Sequence, residues 1–394
     1  MPRTRPILHT WAACGVIIFA MLLAAFAVGR CCDTVITPKF AYVANLGEPA
    51  AFPPGSISMY SIETNGALKP LTPATVSGDG RLYFSSLAAD PSGRFVYATN
   101  FVSCNAQGQC SVTGTVAMYK IEASGSLTPM PEMPDAGAFP SSVAVDPLGR
   151  FVYVANKGLD FPSSVSMYKI NVSGTLTPIG PGKVDAGLFP NSLAVDPSGR
   201  FVYVANQGTN DVSMFQIDNA TGILNPRGAV DAGTSPSSVA VDPSGRFVYV
   251  ANSGLRSPGS ISMYQIGAMG SLTPIAPGTI PAGTSPSSLA IDAFGRFAYV
   301  ANQGSRDVWI YTINDNNGVL TMRGTADAGF SPSSVAVDPS GRFVYVTSGS
   351  PSGPSTPGTV SIYSIDPATG ALTSIGTVDA GFQPSSLATV GSSR

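Results

Sequence analysis

Phe151-Val152-Tyr153-Val154-Ala155-Asn156 is the stretch that decides the fold, because the chain repeats it with small changes seven times. Neighbouring copies lie 46 to 56 residues apart, and they end at Asn45, Asn100, Asn156, Asn206, Asn252, Asn302 and Ser348. A period of this length is typical of a four-stranded blade rather than of a shorter solenoid unit. The repeat therefore predicts an all-β fold, a seven-bladed β-propeller with four antiparallel strands per blade.

Each period also contains further apolar segments separated by turns. In the copy at 236–283 the first segment ends at the turn sequence Asp-Pro-Ser-Gly, residues 242–245, and the second strand follows. Asp caps such a turn, Pro presets φ and Gly accepts a positive φ, so the two strands form a hairpin. The second strand is apolar at every position from 247 to 250, which requires that both faces be buried. Blades stacked around an axis meet this requirement, so the pattern favours a propeller over a sandwich.

The two ends of the repeat region complement each other. The first copy begins at its second strand, at residue 40, and the chain finishes with an unpaired first-strand segment at 384–390. We expect the C-terminal segment to become the innermost strand of the blade whose other three strands are N-terminal. This pairing closes the ring and leaves no sheet edge exposed.

Residues 1–29 differ in composition from the predicted propeller domain at 33–394. Arg3 and Arg5 precede an uncharged apolar run at 11–29, as in an export signal, and residues 25–27 fit the small-x-small cleavage pattern. The run is also just long enough to span a bilayer, and Cys31 is a candidate for lipid modification. A cleaved signal, a membrane anchor and a lipid anchor all predict a propeller outside the cytoplasm, whether periplasmic, secreted or anchored by its N-terminus.

Composition limits the partners. Only 11% of the residues are charged, and 21 basic and 23 acidic residues give a net charge of −2. No cluster of Lys and Arg is present in the sequence, so a nucleic-acid partner is not expected. The expected partner is a small polar or anionic ligand or another protein, with membrane contact only through the N-terminal segment. The chain is expected to be a monomer.

The predicted propeller contains no histidine, because the single histidine of the chain, His9, lies in the predicted export segment. This excludes Ser-His-Asp and Cys-His catalysis and most zinc and copper sites. The glycines recur with the blade period rather than in a phosphate-binding loop. A redox propeller is the weakest alternative, since the sequence has no haem attachment motif. No cofactor and no metal are expected.

Three sets of polar residues recur with the repeat. Hairpin aspartates, each followed four positions later by an arginine, are interpreted as turn caps: Asp90, Asp146, Asp196, Asp242, Asp292 and Asp338. The asparagines that end the second strands are interpreted as strand stops. A third set precedes Ala-Gly between blades, and it either caps loops or faces the channel as a ring of carboxylates: Asp135, Asp185, Asp231, Asp327 and Asp379.

Charged residues that occur in single blades are better candidates for one binding site than polar residues that recur in most blades. Lys157, Arg256 and Arg306 are expected on the face that carries the Asp-Ala-Gly connections, opposite the Asp-Pro-Ser-Gly hairpins. We expect them to converge over the channel mouth on an anionic or polyhydroxy ligand, with Asp231 and Asp327 beside them. Solvated loop charge is the alternative.

The repeated motifs resemble those of the bacterial lactonase-type propellers. Residues 236–252 read Pro-Ser-Ser-Val-Ala-Val-Asp-Pro-Ser-Gly-Arg-Phe-Val-Tyr-Val-Ala-Asn, and the blades add versions of Val-Ser-Met-Tyr-x-Ile and Gly-x-Leu-Thr-Pro. That family groups propeller 6-phosphogluconolactonases with exported proteins that carry Tyr-Val-Thr-Asn repeats, although the Thr is mostly Ala here, as at Ala155. The resemblance covers about residues 39 to 390. It implies the seven-bladed fold and makes lactone chemistry the activity to consider.

Two functions follow from the resemblance and the compartment. In the first, the protein hydrolyses or binds a lactone or a sugar-like ligand, with Glu48 or Asp160 activating water and cations steadying the oxyanion. In the second, the propeller is a non-enzymatic binding or protein-interaction scaffold outside the cytoplasm, which displays loops of unequal length. The export signal weighs against a sugar-phosphate lactone as the substrate, because such lactones are cytoplasmic metabolites.

Cys104 and Cys110 lie in one insertion between the second and third strands of the second blade, where an oxidising compartment permits a local disulfide. Closing so short a loop stabilises the fold by about 2 kcal/mol in the chain-entropy model. Alkylation of the unfolded protein, followed by intact-mass analysis, should modify at least two more cysteines after reduction than before it. Equal modification with and without reductant would mean that these thiols are unpaired.

Overall fold

The structure is a computed structural model that describes residues 36–47, 54–77, 82–102, 113–158, 162–254 and 258–393. Within those ranges the chain forms 29 β-strands in seven antiparallel sheets. The segment at 1–29, predicted to be an export signal or an anchor, lies outside the described residues. Among the described residues, no helix is long and apolar enough to cross a membrane.

Each sheet is one blade, and its first strand lies innermost, against the first strands of the two neighbouring blades. From the inside outward, blade 1 holds β29 (Pro384–Ser393), β1 (Ile36–Asn45), β2 (Ser56–Ile62) and β3 (Leu68–Ser77). Blade 2 holds β4 (Leu82–Ala89), β5 (Phe95–Val102), β6 (Thr113–Ile121), β7 (Leu127–Pro129) and β8 (Asp135–Ala138). Blade 3 holds β9 (Pro140–Val145), β10 (Phe151–Asn156), β11 (Ser164–Ile170) and β12 (Leu176–Asp185).

The other four blades keep the same order. Blade 4 holds β13 (Pro190–Val195), β14 (Phe201–Asn206), β15 (Asp211–Ile217) and β16 (Leu224–Asp231). Blade 5 holds β17 (Pro236–Val241), β18 (Phe247–Asn252), β19 (Pro258–Ile266) and β20 (Leu272–Thr284). Blade 6 holds β21 (Pro286–Ile291), β22 (Phe297–Asn302), β23 (Asp307–Ile313) and β24 (Leu320–Asp327). Blade 7 holds β25 (Pro332–Val337), β26 (Phe343–Ser348), β27 (Pro357–Ile365) and β28 (Leu372–Phe382).

Blade 1 combines the N-terminal and C-terminal strands of the repeat region. β29 runs antiparallel to β1, with Leu387 opposite Val43 and Ala388 opposite Tyr42. The side chains of Leu387 and Val390 are buried. The predicted seven-bladed propeller and the predicted closure of its ring by the C-terminal strand are both confirmed.

The outer strand of blade 2 is interrupted. β7 and β8 both pair with β6, and the segment between them contains Pro131 and Pro134. Proline has no N–H to donate to a strand ladder, so two closely spaced prolines end the pairing. The interruption lies on the outermost edge of the blade and leaves the three inner strands regular.

Neighbouring blades are joined by a buried tyrosine in every second strand. Its hydroxyl donates to the carbonyl of a turn glycine between the third and fourth strands of the next blade, over 2.7 to 3.1 Å. The seven pairs are Tyr42 with Gly125, Tyr97 with Gly174, Tyr153 with Gly222, Tyr203 with Gly270, Tyr249 with Gly318, Tyr299 with Gly370 and Tyr345 with Gly66. The last pair runs from blade 7 to blade 1, so the bonds form a closed ring.

The turn position in these pairs requires glycine. Gly318 has a φ of +72°, and a Cβ atom on it would lie 2.5 Å from the ring of Phe247 in the preceding blade. A side chain at this position would therefore be strained by the backbone and would also overlap a buried aromatic ring. The tyrosine, the phenylalanine and the glycine form one interlocking contact between blades.

Serine side chains join the innermost strands around the channel. The first serine of each Pro-Ser-Ser segment donates to the next blade, as Ser237 does to the Pro286 carbonyl over 2.7 Å. The second serine accepts an N–H from the next blade, as Ser238 does from Leu289 over 3.1 Å. Each innermost strand has a free edge with unpaired backbone N–H and C=O groups. Serine side chains of the preceding blade bond to these groups, as another strand would in an ordinary sheet.

Deletion of residues 384–394 should lower the melting temperature by about 10 °C or more, because it removes buried Leu387 and Val390 and exposes the edge of β1. Differential scanning calorimetry measures the change. Deletion of 392–394, beyond the last buried residue, is the matched control and should leave the melting temperature within about 2 °C. An unchanged melting curve for the longer deletion would contradict a stabilising role for ring closure.

Alkaline pH should unfold the propeller in a narrow range, because burial raises the pKa of the ring tyrosines above their ordinary value of 10.0 and that of Tyr60 to about 12. A pKa that is higher in the folded state stabilises the fold fully below pH 10 and loses that effect as the pH rises through the folded value. The free energy of unfolding measured with urea should therefore not depend on tyrosine ionisation below about pH 9, and it should fall steeply above pH 10. Phenolate absorbance that develops without unfolding would contradict this linkage.

Candidate functional site

The loops that follow the second strands share one face with the connections between blades. The Lys157 N–H donates to the Phe139 carbonyl over 3.0 Å, and the Ser253 N–H donates to the Ser235 carbonyl over 2.9 Å. Both acceptors lie in the connection that leads into the innermost strand of the same blade. The predicted common face is confirmed, and we call it the loop face. The Asp-Pro-Ser-Gly hairpins lie at the other end of the strands.

Fourteen residues form the rim of the channel on the loop face. Each blade contributes two residues. One follows the polar residue that ends the second strand, and the other precedes the residue of the innermost strand that pairs with that polar residue. We call this set the mouth ring, and in order of blades its pairs are Gln383 and Leu46, Tyr83 and Phe101, Phe139 and Lys157, Phe189 and Gln207, Ser235 and Ser253, Ser285 and Gln303, and Ser331 and Gly349.

Six mouth-ring residues adopt left-handed backbone conformations although none is glycine. Their φ values lie between +51° and +57°, and they are Phe139, Phe189, Ser235, Ser285, Ser331 and Gln383. This conformation costs an ordinary residue on the order of 1 kcal/mol. Because the strain recurs in six blades, it belongs to the entry into the innermost strand and is shared by residues of quite different chemistry.

The mouth ring is chemically divided. Blades 2 to 4 contribute the aromatic sector, which is Tyr83, Phe101, Phe139 and Phe189. The Tyr83 and Phe101 rings stack with centroids 5.5 Å apart, and Phe101 lies 6.3 Å from Phe139. Phe189 is 38% exposed, which is unusual for so large an apolar side chain. Blades 5 to 7 contribute the polar sector, which is Ser235, Ser253, Ser285, Gln303 and Ser331.

Lys157 is the only charged residue of the mouth ring. Its carbonyl accepts the Ser163 hydroxyl over 2.8 Å, and the Ser163 oxygen accepts the N–H of Phe189 over 3.2 Å. The lysine backbone is therefore tied to phenylalanines of two blades, Phe139 and Phe189. Burial lowers the pKa of its ammonium group below the ordinary value of 10.5. Within the described ranges, no ion pair or hydrogen bond joins that ammonium group to another residue.

The repeat explains why the Lys157 ammonium group lacks an acceptor in the part of the chain that the structure describes. In blade 4 the equivalent residue is Gln207, whose amide donates to the Ser235 hydroxyl of the next blade over 3.0 Å. Blade 6 repeats this glutamine-to-serine contact with blade 7 over 2.9 Å. The next blade offers Lys157 a phenylalanine at the serine position, Phe189, which has no acceptor atom in its side chain.

Arg306 does not meet Lys157. It lies at the end of a loop in blade 6 with a φ of +62°, and its guanidinium stacks on the Phe330 ring at 4.5 Å. Blades 3 and 6 are three places apart, which is the greatest separation in a ring of seven. Blades so placed face each other across a central channel, so the expected convergence of these two cations on one ligand stays a prediction.

Asp231 and Asp327 lie away from the mouth ring. They end the outermost strands of blades 4 and 6, and their backbone carbonyls accept the hydroxyls of Tyr264 and Tyr363 in the next blades. Three strand spacings of about 4.8 Å place them about 14 Å from the innermost strand. The described Asp-Ala-Gly residues therefore do not form the carboxylate ring at the channel that was one of the two interpretations.

The other two repeated sets have structural contacts. Asn156 is buried, and its Oδ1 accepts the N–H of Gly137 from the preceding blade over 2.8 Å. Asp242 accepts the backbone N–H groups of Arg246 and Phe247, over 2.7 and 2.6 Å. The Arg246 guanidinium also stacks on the Phe247 ring at 4.9 Å. These contacts fit the interpretations as a strand stop and a turn cap.

The remaining site predictions fall outside the described residues. These are the candidate catalytic residues Glu48 and Asp160, the cation Arg256, and the cysteines Cys104 and Cys110. In the part of the chain that the structure describes, no three His, Cys, Asp or Glu side chains cluster as a metal site would require. The aromatic sector was missed from the sequence because its members read as ordinary strand residues.

Solved structures share the fold of this chain. A protein from Bacteroides uniformis described as a candidate 6-phosphogluconolactonase matches 90% of this chain and 100% of its own, with 19% identity and a TM-score of 0.72. A periplasmic gluconolactonase from Pseudomonas aeruginosa matches 90% of this chain and 99% of its own, with 20% identity and a TM-score of 0.70. Among curated proteins, none matches the chain.

A family model gives the classification. The model described as "Lactonase, 7-bladed beta-propeller" matches residues 120–234 and 225–332, which together make up more than half of the chain. The matched region runs from the third strand of blade 2 to the start of blade 7, and it includes Lys157 and most of the mouth ring. The chain belongs to the seven-bladed β-propeller lactonase family.

Proposed function

We propose that the protein binds and hydrolyses a lactone at the loop-face mouth of its channel, with Lys157 as the base. The observation that carries the proposal is that Lys157 is the one charged residue of the mouth ring, that its backbone bonds to Phe139 and, through Ser163, to Phe189, and that its ammonium group has no acceptor among the described residues. An amine with few polar neighbours loses its proton more readily than an exposed one. A neutral amine at this position is a proton acceptor beside an open channel mouth.

The reaction uses one water molecule. The neutral Lys157 amine takes a proton from water while the water oxygen attacks the ring carbonyl carbon and the carbonyl oxygen gains the negative charge. The bond between that carbon and the ring oxygen then breaks, and the lysine ammonium returns the proton to the departing ring oxygen. The product is a hydroxy acid, whose carboxyl group ionises in water. The lysine ends each turnover in its starting state.

The proposed location is outside the cytoplasm. The apolar segment after Arg3 and Arg5 and the close pair of cysteines support export. In that compartment the substrate would be a lactone other than a cytoplasmic sugar phosphate. The Pseudomonas aeruginosa protein with the same fold is named as periplasmic, which is consistent with this location for such a propeller.

A binding scaffold without chemistry is the second candidate, and the exposed aromatic sector favours it. Aromatic side chains such as Phe189 at an open rim are common where a protein holds a ligand or a partner. In this function the same mouth ring binds the ligand and Lys157 only contributes a polar contact. The two functions therefore differ in turnover and not in the place of the site.

Lys157→Gln should lower kcat/KM for lactone hydrolysis by about 100-fold or more, because it removes the base. Glutamine occupies the same position in blades 4 and 6, so the fold should tolerate it. In the native protein kcat/KM should rise with pH through the lowered pKa of Lys157, and Lys157→Arg, which stays protonated, should lose the rise. Titrimetric release of acid measures the rates.

Lys169→Gln is the matched control, because Lys169 is an exposed lysine in the third strand of the same blade. It should retain native rates within about twofold. Equal rates in Lys157→Gln and in the native protein would overturn the assignment of the base. Binding of a lactone without turnover in any variant would favour the scaffold.

A further inference from the structure

We infer that the lactone taken at the mouth ring carries an apolar alkyl or aryl substituent and is not a polyhydroxylated sugar lactone. The inference rests on the proposed function and adds the class of substrate. It comes from the division of the mouth ring into an aromatic and a polar sector, because the aromatic sector exposes apolar surface whereas several groups of the polar sector bond to one another.

Part of the hydrogen-bonding capacity of the polar sector is already used within the protein. The Gln303 amide donates to the Ser331 hydroxyl over 2.9 Å, and the Ser253 hydroxyl donates to the Ser235 carbonyl over 3.0 Å. Gln207, next to this sector, also donates to Ser235. A sugar hydroxyl would have to displace these bonds to gain its own, so the exchange would bring little net free energy.

The aromatic sector has apolar surface that nothing in the described chain covers. Phe189 is 38% exposed and the preceding Leu188 is 56% exposed, on the rim of the channel. In the neighbouring blades of the same sector the Phe139 ring lies 6.3 Å from Phe101, which stacks on Tyr83. Removing such area from water is the main source of binding free energy for an apolar group.

Lys157 lies next to the aromatic sector in the mouth ring, so a lactone carbonyl at its amine would be close to that sector. Its N–H bonds to Phe139, and Ser163 bridges its carbonyl to the N–H of Phe189. The Lys157 backbone is therefore bonded to the two connections that carry Phe139 and Phe189, and a lactone whose carbonyl carbon faces the lysine amine would lie at the aromatic sector. A hydrocarbon substituent on its ring would lie against those rings, whereas a ring of hydroxyl groups would lose hydration there without gaining acceptors.

The test compares glucono-δ-lactone with γ-lactones that carry linear alkyl groups from methyl to octyl. For the native protein kcat/KM should rise about two- to fourfold for each added methylene group until the surface is covered. The octyl lactone should be hydrolysed at least 100-fold more efficiently than glucono-δ-lactone. Binding of the unreactive cyclic ethers of the same chain lengths, measured by calorimetry, should follow the same order.

The variant Phe139→Ser with Phe189→Ser should flatten the dependence on chain length and lower kcat/KM at least tenfold more for the octyl lactone than for the methyl lactone. Serine adopts the same left-handed backbone at 235, 285 and 331, so the fold should accept it. Phe294→Ser is the matched control, because Phe294 is 43% exposed on a hairpin of the opposite face. It should behave as the native protein does.

The outcomes separate this inference from the proposed function. A higher kcat/KM for glucono-δ-lactone than for every alkyl lactone would overturn the inference and leave lactone hydrolysis standing. An unchanged chain-length dependence in the double variant would also overturn it. Failure to hydrolyse any lactone would overturn the proposed function, and the calorimetric order of the cyclic ethers would then decide whether the aromatic sector binds apolar groups.

Discussion

The hydrogen bond from a second-strand tyrosine to a turn glycine of the next blade is the contact on which the rest of the ring depends. A buried hydroxyl without a partner costs about 1 to 3 kcal/mol, so each blade is incomplete without its neighbour. The contact also explains the repeat, since it requires a tyrosine, a packed phenylalanine and a glycine with positive φ in each blade. Tyr345 finds its acceptor at Gly66, in the N-terminal part of the chain, so the last bond forms only when the two ends share a blade.

This rigid scaffold makes the mouth ring a set of equivalent positions with unequal side chains. After the second strand the chain places Leu, Phe, Lys, Gln, Ser or Gly, and the backbone bonds to the connection are the same for most of them. The glutamine-to-serine contacts show where a side chain at this position reaches. Among the described residues Lys157 has no acceptor because Phe189 takes the place of serine, and its unpaired side chain there is a consequence of two departures from the repeat in adjacent blades.

The fold was predictable because the repeat constrains it at every level, from the turn residues to the complementary ends. The face of the loops was predictable for the same reason, since strand direction alternates. The site was less accessible. The sequence places Lys157 and Arg306 on the loop face, but it does not show which side chains reach the channel. It also does not show where a connection turns inward, and Asp231 and Asp327 were placed near the channel although they end the outermost strands. Phenylalanine in a left-handed conformation, as at Phe139, has no sequence signal, because its propensity argues against it.

Membership of the lactonase family therefore accounts for the scaffold more than for the chemistry. The tyrosine ring, the serine contacts and the capped hairpins recur in the blades and would serve any ligand, so they carry no information about specificity. Specificity has to come from positions where equivalent residues differ, and on the loop face those are the mouth-ring residues. There the physical choice is between a cation held by water and a neutral amine beside apolar rings. The burial of Lys157 lowers the pKa of its ammonium group and so makes the neutral amine easier to reach, and a neutral amine is suited to a neutral ester more than to an anion.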